Sequence, residues 1–98
     1  MSVSTGFAAF GELAPGTASA FGGFVQAVAA ESALDERTRH LAYVAVLAAT
    51  GRLGGIPFHA ELARGAGATT QELVSAVLVG MPAVGLGVVD ALPLVAPA

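Results

Sequence analysis

Apolar side chains recur along this chain at helical intervals, and turn-forming residues cut the pattern into segments. Phe7, Phe10 and Leu13 share one face and predict a short helix, following a frayed start over residues 1–6 and ending near Ala14-Pro15-Gly16. Thr17 or Ser19 opens a second segment that places Phe21, Phe24, Val25 and Val28 on one side and stops around Ala30 to Ser32. Asp35 then stands as an N-cap, with Glu36 at the positive end of the helix dipole. The run Arg37–Thr50 is rich in Leu, Ala and Val nearly all round, the pattern of a central helix packed on several sides.

Gly51 supplies a C-terminal stop, and Gly54-Gly55 allow a tight reversal. Pro57 suits the first turn of the next helix, which carries His59, Leu62 and Ala63 and stops at Gly65 or Gly67. Thr69-x-x-Glu72 is a capping-box pattern, and Leu73, Val74, Val77 and Leu78 follow at helical spacing. Pro82 is expected to begin a last helix through Asp90, with Pro93 and Pro97 ending the regular structure. No strand alternation or hairpin turn competes with this pattern. The expectation is one all-α domain over residues 1–98, with five or six helices around a central helical hairpin.

Composition changes the picture in one respect. The chain is 55% hydrophobic and only 11% charged, against roughly 25% charged residues in ordinary soluble domains. A domain this small buries only about 60–65% of its unfolded surface, so the apolar surplus must face something else, and partner chains are the expectation. A membrane span is not expected. Leu73–Val89 is uncharged but is 17 residues long and is broken by Gly80, Pro82, Gly85 and Gly87, where a spanning helix needs about 20 residues. Lysine is absent and the net charge is −3, which argues against nucleic-acid binding. Cysteine is absent too, so disulfides, thiolate metal sites and thiol redox chemistry have no anchor. No secretory signal is evident, which points to the cytoplasm.

Few side chains remain for chemistry. His40 and His59 are the only groups that ordinarily titrate near neutrality. Tyr43, the sole tyrosine, follows His40 by one turn on the same face, and Arg52 sits at the turn before the helix of His59. The planar guanidinium of Arg52 suits a carboxylate, while its alternative role is to cap the preceding helix. Glu61 and Arg64 read as solvated. Two histidines 19 residues apart without an acidic cluster do not make a metal site, and no nucleotide or hydrolase motif occurs. No cofactor is expected.

The stretch from Leu34 to Glu72 nevertheless resembles a known family. Leu34-Asp35-x-x-Thr38-Arg39, Gly51, His59 and Gly67-Ala68-Thr69-x-x-Glu72-Leu73 occur in an order and spacing similar to those of the carboxymuconolactone decarboxylase family, which includes the alkyl hydroperoxidase D proteins. The resemblance covers residues 34–90, with a looser match back to Phe10. In the peroxidase branch a glutamate precedes a C-x-x-C pair and a histidine. Laid on this chain, the histidine falls on His59, the cysteines on Arg52 and Gly55, and the glutamate on His40. Without a thiolate, thiol peroxidase activity is not expected.

The decarboxylase branch looks closer, through Thr38-Arg39-His40-Leu41, Gly51-Arg52 and His59; the chain departs from it at Gly55, where that branch commonly has an acid. The resemblance implies a helical subunit assembling as a trimer or hexamer. It also implies cofactor-free loss of CO₂ from a small lactone or unsaturated carboxylic acid. His59 is then the candidate catalytic residue, moving a proton at the carbon that loses CO₂. Arg52, which would hold a carboxylate, is a candidate substrate-binding residue together with His40 and Tyr43. The rival reading is a non-catalytic oligomeric member that binds a ligand or serves a structural role.

Overall fold

The computed structural model describes residues 4–96, and within them every regular element is helical. Ser4 caps α1 (Thr5–Leu13) by accepting from the Phe7 N–H, so the helix begins inside the stretch expected to fray. Residues 1–3 of that stretch lie outside the described residues. Helix α2 (Pro15–Ala30) starts two residues before the expected Thr17, because Pro15 fits the first turn and its missing N–H has no intrahelical partner to lose. Asp35 caps α3 (Glu36–Ala49) through the Thr38 N–H, as its sequence position indicated.

Gly51 closes α3 with φ +71°, a left-handed conformation that glycine adopts without strain. A 3₁₀ turn over Leu53–Gly55 then reverses the chain into α4 (Ile56–Gly65). The capping box at the start of α5 (Thr70–Leu78) is complete: Thr69 Oγ1 accepts from the Glu72 N–H, and Glu72 Oε1 accepts from the Thr69 N–H.

The expected last helix from Pro82 to Asp90 is interrupted. One turn, α6 (Met81–Val84), ends at Gly85, whose φ of +95° breaks the helix. A 3₁₀ segment, Leu86–Ala91, follows, and then a short α7 (Leu92–Val95). Pro93 lies in the first turn of α7 and so begins structure where it was expected to end it; Pro97 is outside the described residues.

The hydrophobic core is built from α3, α4, α5 and the C-terminal turns. Val44, Ile56, Ala60, Leu73, Val88 and Val95 are among its fully or almost fully buried residues. Small alanines at 48, 60, 63 and 91 let the backbones approach closely. Two arginines tie the periphery together. Arg37 of α3 pairs with Glu72 of α5, and the Arg64 guanidinium donates to the Val95 carbonyl as well as pairing with Glu61 at 3.8 Å. Arg64 is therefore not simply solvated, since it links α4 to α7, while Glu61 is exposed as expected.

Helices α1 and α2 stand apart. They pack on each other as a hairpin arm, and neither contains a buried residue. The arm stretches the molecule: the radius of gyration is 13.9 Å, against about 12.6 Å for a compact domain of this length. Helix α3 is the central helix expected, packing against α4, α5 and the 3₁₀ segment Leu86–Ala91. It buries Val44 and Ala48 but leaves Tyr43 and Val46 exposed. Among the described residues, no helix is long and apolar enough to cross a membrane.

Candidate functional site

The arm and the body enclose a cleft of about 410 Å³. The body side follows directly from local spacing. On α3, His40, Tyr43 and Leu47 fall one turn apart and form a stripe along one face. Helix α4 packs along α3, and its second turn brings His59 over that stripe. The Tyr43 and His59 rings stack with centroids 4.1 Å apart at 26°, and the His40 ring lies 6.0 Å from that of His59. Phe58 meets the His59 ring edge-on at 5.2 Å. The reversal before α4 places Gly55 on the wall, where an added Cβ would lie 3.4 Å from Leu47 Cδ1 and 3.9 Å from His59 Cδ2.

The arm supplies the other side through Phe7 and Phe10 of α1, Phe21 and Val25 of α2, and the capping Ser4. The three phenylalanines meet edge to face, with every pair of centroids 6.1–6.2 Å apart. Their period was visible in the sequence, but it assigned them to helix faces and gave no sign that they wall a site. The one available signal was three aromatic rings in segments that have nothing of their own to bury them.

Burial sets the chemistry of His59. Its pKa is lowered, first by desolvation and then by the nearby His40, so the neutral ring is favoured. His40 is also lowered, by desolvation and by Arg39, with Glu36 opposing. The Nδ1 of His59 is buried and has no hydrogen-bond partner among the described residues, leaving Nε2 as the nitrogen open to a ligand. Since no hydrogen bond orients the ring, the packing of Tyr43 and Phe58 has to hold it.

The four residues singled out from the sequence therefore separate. His59 and Tyr43 line the cleft, and His40 adjoins His59 from within the same chain. Arg52 does not line it: its side chain is exposed and without an ion pair or hydrogen bond among the described residues, although its N–H bonds the Leu47 carbonyl at 2.8 Å. A second hollow of about 420 Å³ between α3 and α5 carries neither histidine nor tyrosine on its wall. Among the described residues, no three His, Cys, Asp or Glu side chains gather in a way that could hold a metal ion.

In comparison with known proteins, residues 15–96 match the model of the carboxymuconolactone decarboxylase family. No curated protein and no solved structure matches the chain. The matched span includes α2, the His59 hairpin and the whole core, but not α1.

Proposed function

Because the chain belongs to the carboxymuconolactone decarboxylase family, we propose that it is a cofactor-free lyase acting on a small lactone or unsaturated carboxylic acid. The observation that carries this reading is His59: an imidazole at the wall of an apolar cleft, its charged form disfavoured by burial, with Nε2 open and Nδ1 enclosed. In the proposed step the bond between the ligand carbon and its carboxylate breaks and CO₂ leaves. The electron pair stays on the carbon, delocalised into the adjoining unsaturation, and that carbon takes a proton from the protonated form of His59, leaving the neutral ring, which solvent reprotonates. A lowered pKa makes the imidazolium a stronger donor while thinning its population at neutral pH. With no cysteine in the chain, thiol peroxidase chemistry has no nucleophile.

In this reading the exposed Arg52, whose N–H bonds the carbonyl of the cleft-lining Leu47, gives the substrate carboxylate only a solvent-screened pairing. The protein works as a homo-oligomer, a trimer or hexamer. Exposed Leu13, Phe24, Val28 and Val46 support assembly, as does a surface of 6112 Å² against about 5,100 Å² for a compact chain of this mass. A cytoplasmic location is part of the same reading.

The test is CO₂ release from a panel of cyclic and unsaturated carboxylic acids, with His59→Gln and His59→Ala run in parallel. Loss of general acid–base help should lower turnover about 10²–10⁴-fold; turnover within a few-fold of wild type would sink the assigned role. One observation favours a second reading, a non-catalytic ligand-binding member. Among the described residues, only Ser4, Tyr43 and His59 of the ten that line the wall are polar, and Gly55 adds no group. Ligand binding without CO₂ release from any acid would select it.

A further inference from the structure

We infer that this cleft recognises a flat, uncharged aromatic or conjugated body, and that its wall does not read a carboxylate. The inference rests on the cleft being the ligand site, as proposed above, and it narrows the class of ligand. Five of the ten lining residues are aromatic: Phe7, Phe10 and Phe21 from the arm, and Tyr43 and Phe58 from the body. Ring edges and faces favour another ring in offset or edge-on contact.

Gly55 keeps one corner open for such a body. A Cβ there would lie 3.4 Å from Leu47 Cδ1 and 3.9 Å from His59 Cδ2, taking up wall space beside the His59 ring.

Among the described residues, the wall contains no aspartate, glutamate, arginine or lysine. Its polar groups among those residues are three: the Ser4 hydroxyl, which accepts from the Phe7 N–H and keeps its own O–H to donate, Tyr43 Oη and His59 Nε2. These uncharged groups suit a ligand oxygen such as a carbonyl. A carboxylate entering this cleft sheds its hydration and finds no cation on the wall to compensate, whereas an ester or ketone of the same shape sheds far less. The exposed Arg52 is screened by solvent, and such a pairing changes affinity by about fivefold at most.

The experiment compares matched probes on the full-length chain by isothermal titration: trans-cinnamate, methyl trans-cinnamate, and a saturated five-membered lactone carboxylate. The methyl ester is expected to bind at least as tightly as cinnamate, since it sheds less hydration, and both at least tenfold more tightly than the lactone acid. Phe58→Leu, a body-side change of similar bulk, should weaken both cinnamyl probes at least threefold, and Phe21→Ala at least tenfold. Arg52→Ala should change cinnamate binding by less than fivefold. Helicity by circular dichroism checks that each variant is folded.

The inference is overturned by cinnamate binding more than tenfold tighter than its ester with that advantage lost in Arg52→Ala. It is also overturned by the lactone acid binding tightest, or by no probe binding the wild type. Tight binding of both cinnamyl probes with no CO₂ released from any acid keeps this inference and removes the lyase reading. Preferential binding and turnover of the lactone acid does the reverse.

Discussion

Replacing Tyr43 by leucine should release the His59 ring without disturbing the helix that carries it. Tyr43 is 46% exposed on α3 and contributes nothing to the buried core, so the fold tolerates its loss. Its contact with His59 is a near-parallel stack at 4.1 Å, and His59 Nδ1 has no hydrogen bond to orient the ring in its place. An aromatic pair is worth about 0.5–1.5 kcal/mol beyond its area. For a half-exposed ring the lower part of that range applies, about 0.5–1 kcal/mol, or a two- to fivefold shift in ring orientation. Removing the ring also admits water to His59. Desolvation is the largest cause of its lowered pKa, so the pKa should rise toward 6.5 in Tyr43→Leu. Tyr43→Phe keeps the stack and should titrate as wild type does.

Proton NMR reads this directly, because the chain has only two histidines and His40→Gln assigns their two signals. An unchanged His59 titration in Tyr43→Leu would refute the account of how the ring is held. A shift as large in Tyr43→Phe as in Tyr43→Leu would move the role from the ring to the hydroxyl.

Two further outcomes follow from the same structure. Both histidines have folded pKa values below 6.5, so between those values and 6.5 the unfolded chain binds more protons than the folded one. Their contribution to stability is complete above pH 6.5 and is lost as pH falls through the folded values. Urea midpoints should therefore drop between pH 7 and 5 in wild type and stay nearly flat over that interval in a His40→Gln/His59→Gln variant; equal drops would place the pH dependence elsewhere. Leu73→Ala removes a fully buried side chain of α5 and should cost about 2–5 kcal/mol. At roughly 4–8 °C per kcal/mol for a domain of this size, calorimetry should show a melting temperature lower by about 10 °C or more, and a fall of only a few degrees would mean that α5 is not seated in the core as described.

What was legible in the sequence was what short-range physics decides. Asp35, Thr69 and Glu72 cap helices by bonding N–H groups three residues away, and those caps stand where their types and spacing put them. Gly51 ends α3 for an equally local reason, since its φ of +71° strains any side chain bearing a Cβ. Local reading failed where two local signals compete. Pro15 and Pro93 begin helical turns because an N-terminal turn has no use for their missing N–H, and Gly85 breaks a segment whose apolar pattern ran on unbroken.

The motif order in residues 34–72 carried the family, which the match over residues 15–96 shows. Residue type also made His40, Tyr43, Arg52 and His59 the candidates, but type says nothing about distance. The crossing of α4 over α3 decided that His59 stacks on Tyr43 and adjoins His40, while Arg52 stays exposed off the cleft wall. The folding-back of a hairpin arm decided that Phe7, Phe10 and Phe21, more than 30 residues before His59, form the other side of its cleft. Helix caps and turns are set by bonds within a few residues, and so they can be read along the chain. The cleft exists only where surfaces far apart in sequence exclude water together, and packing of the whole fold determines that.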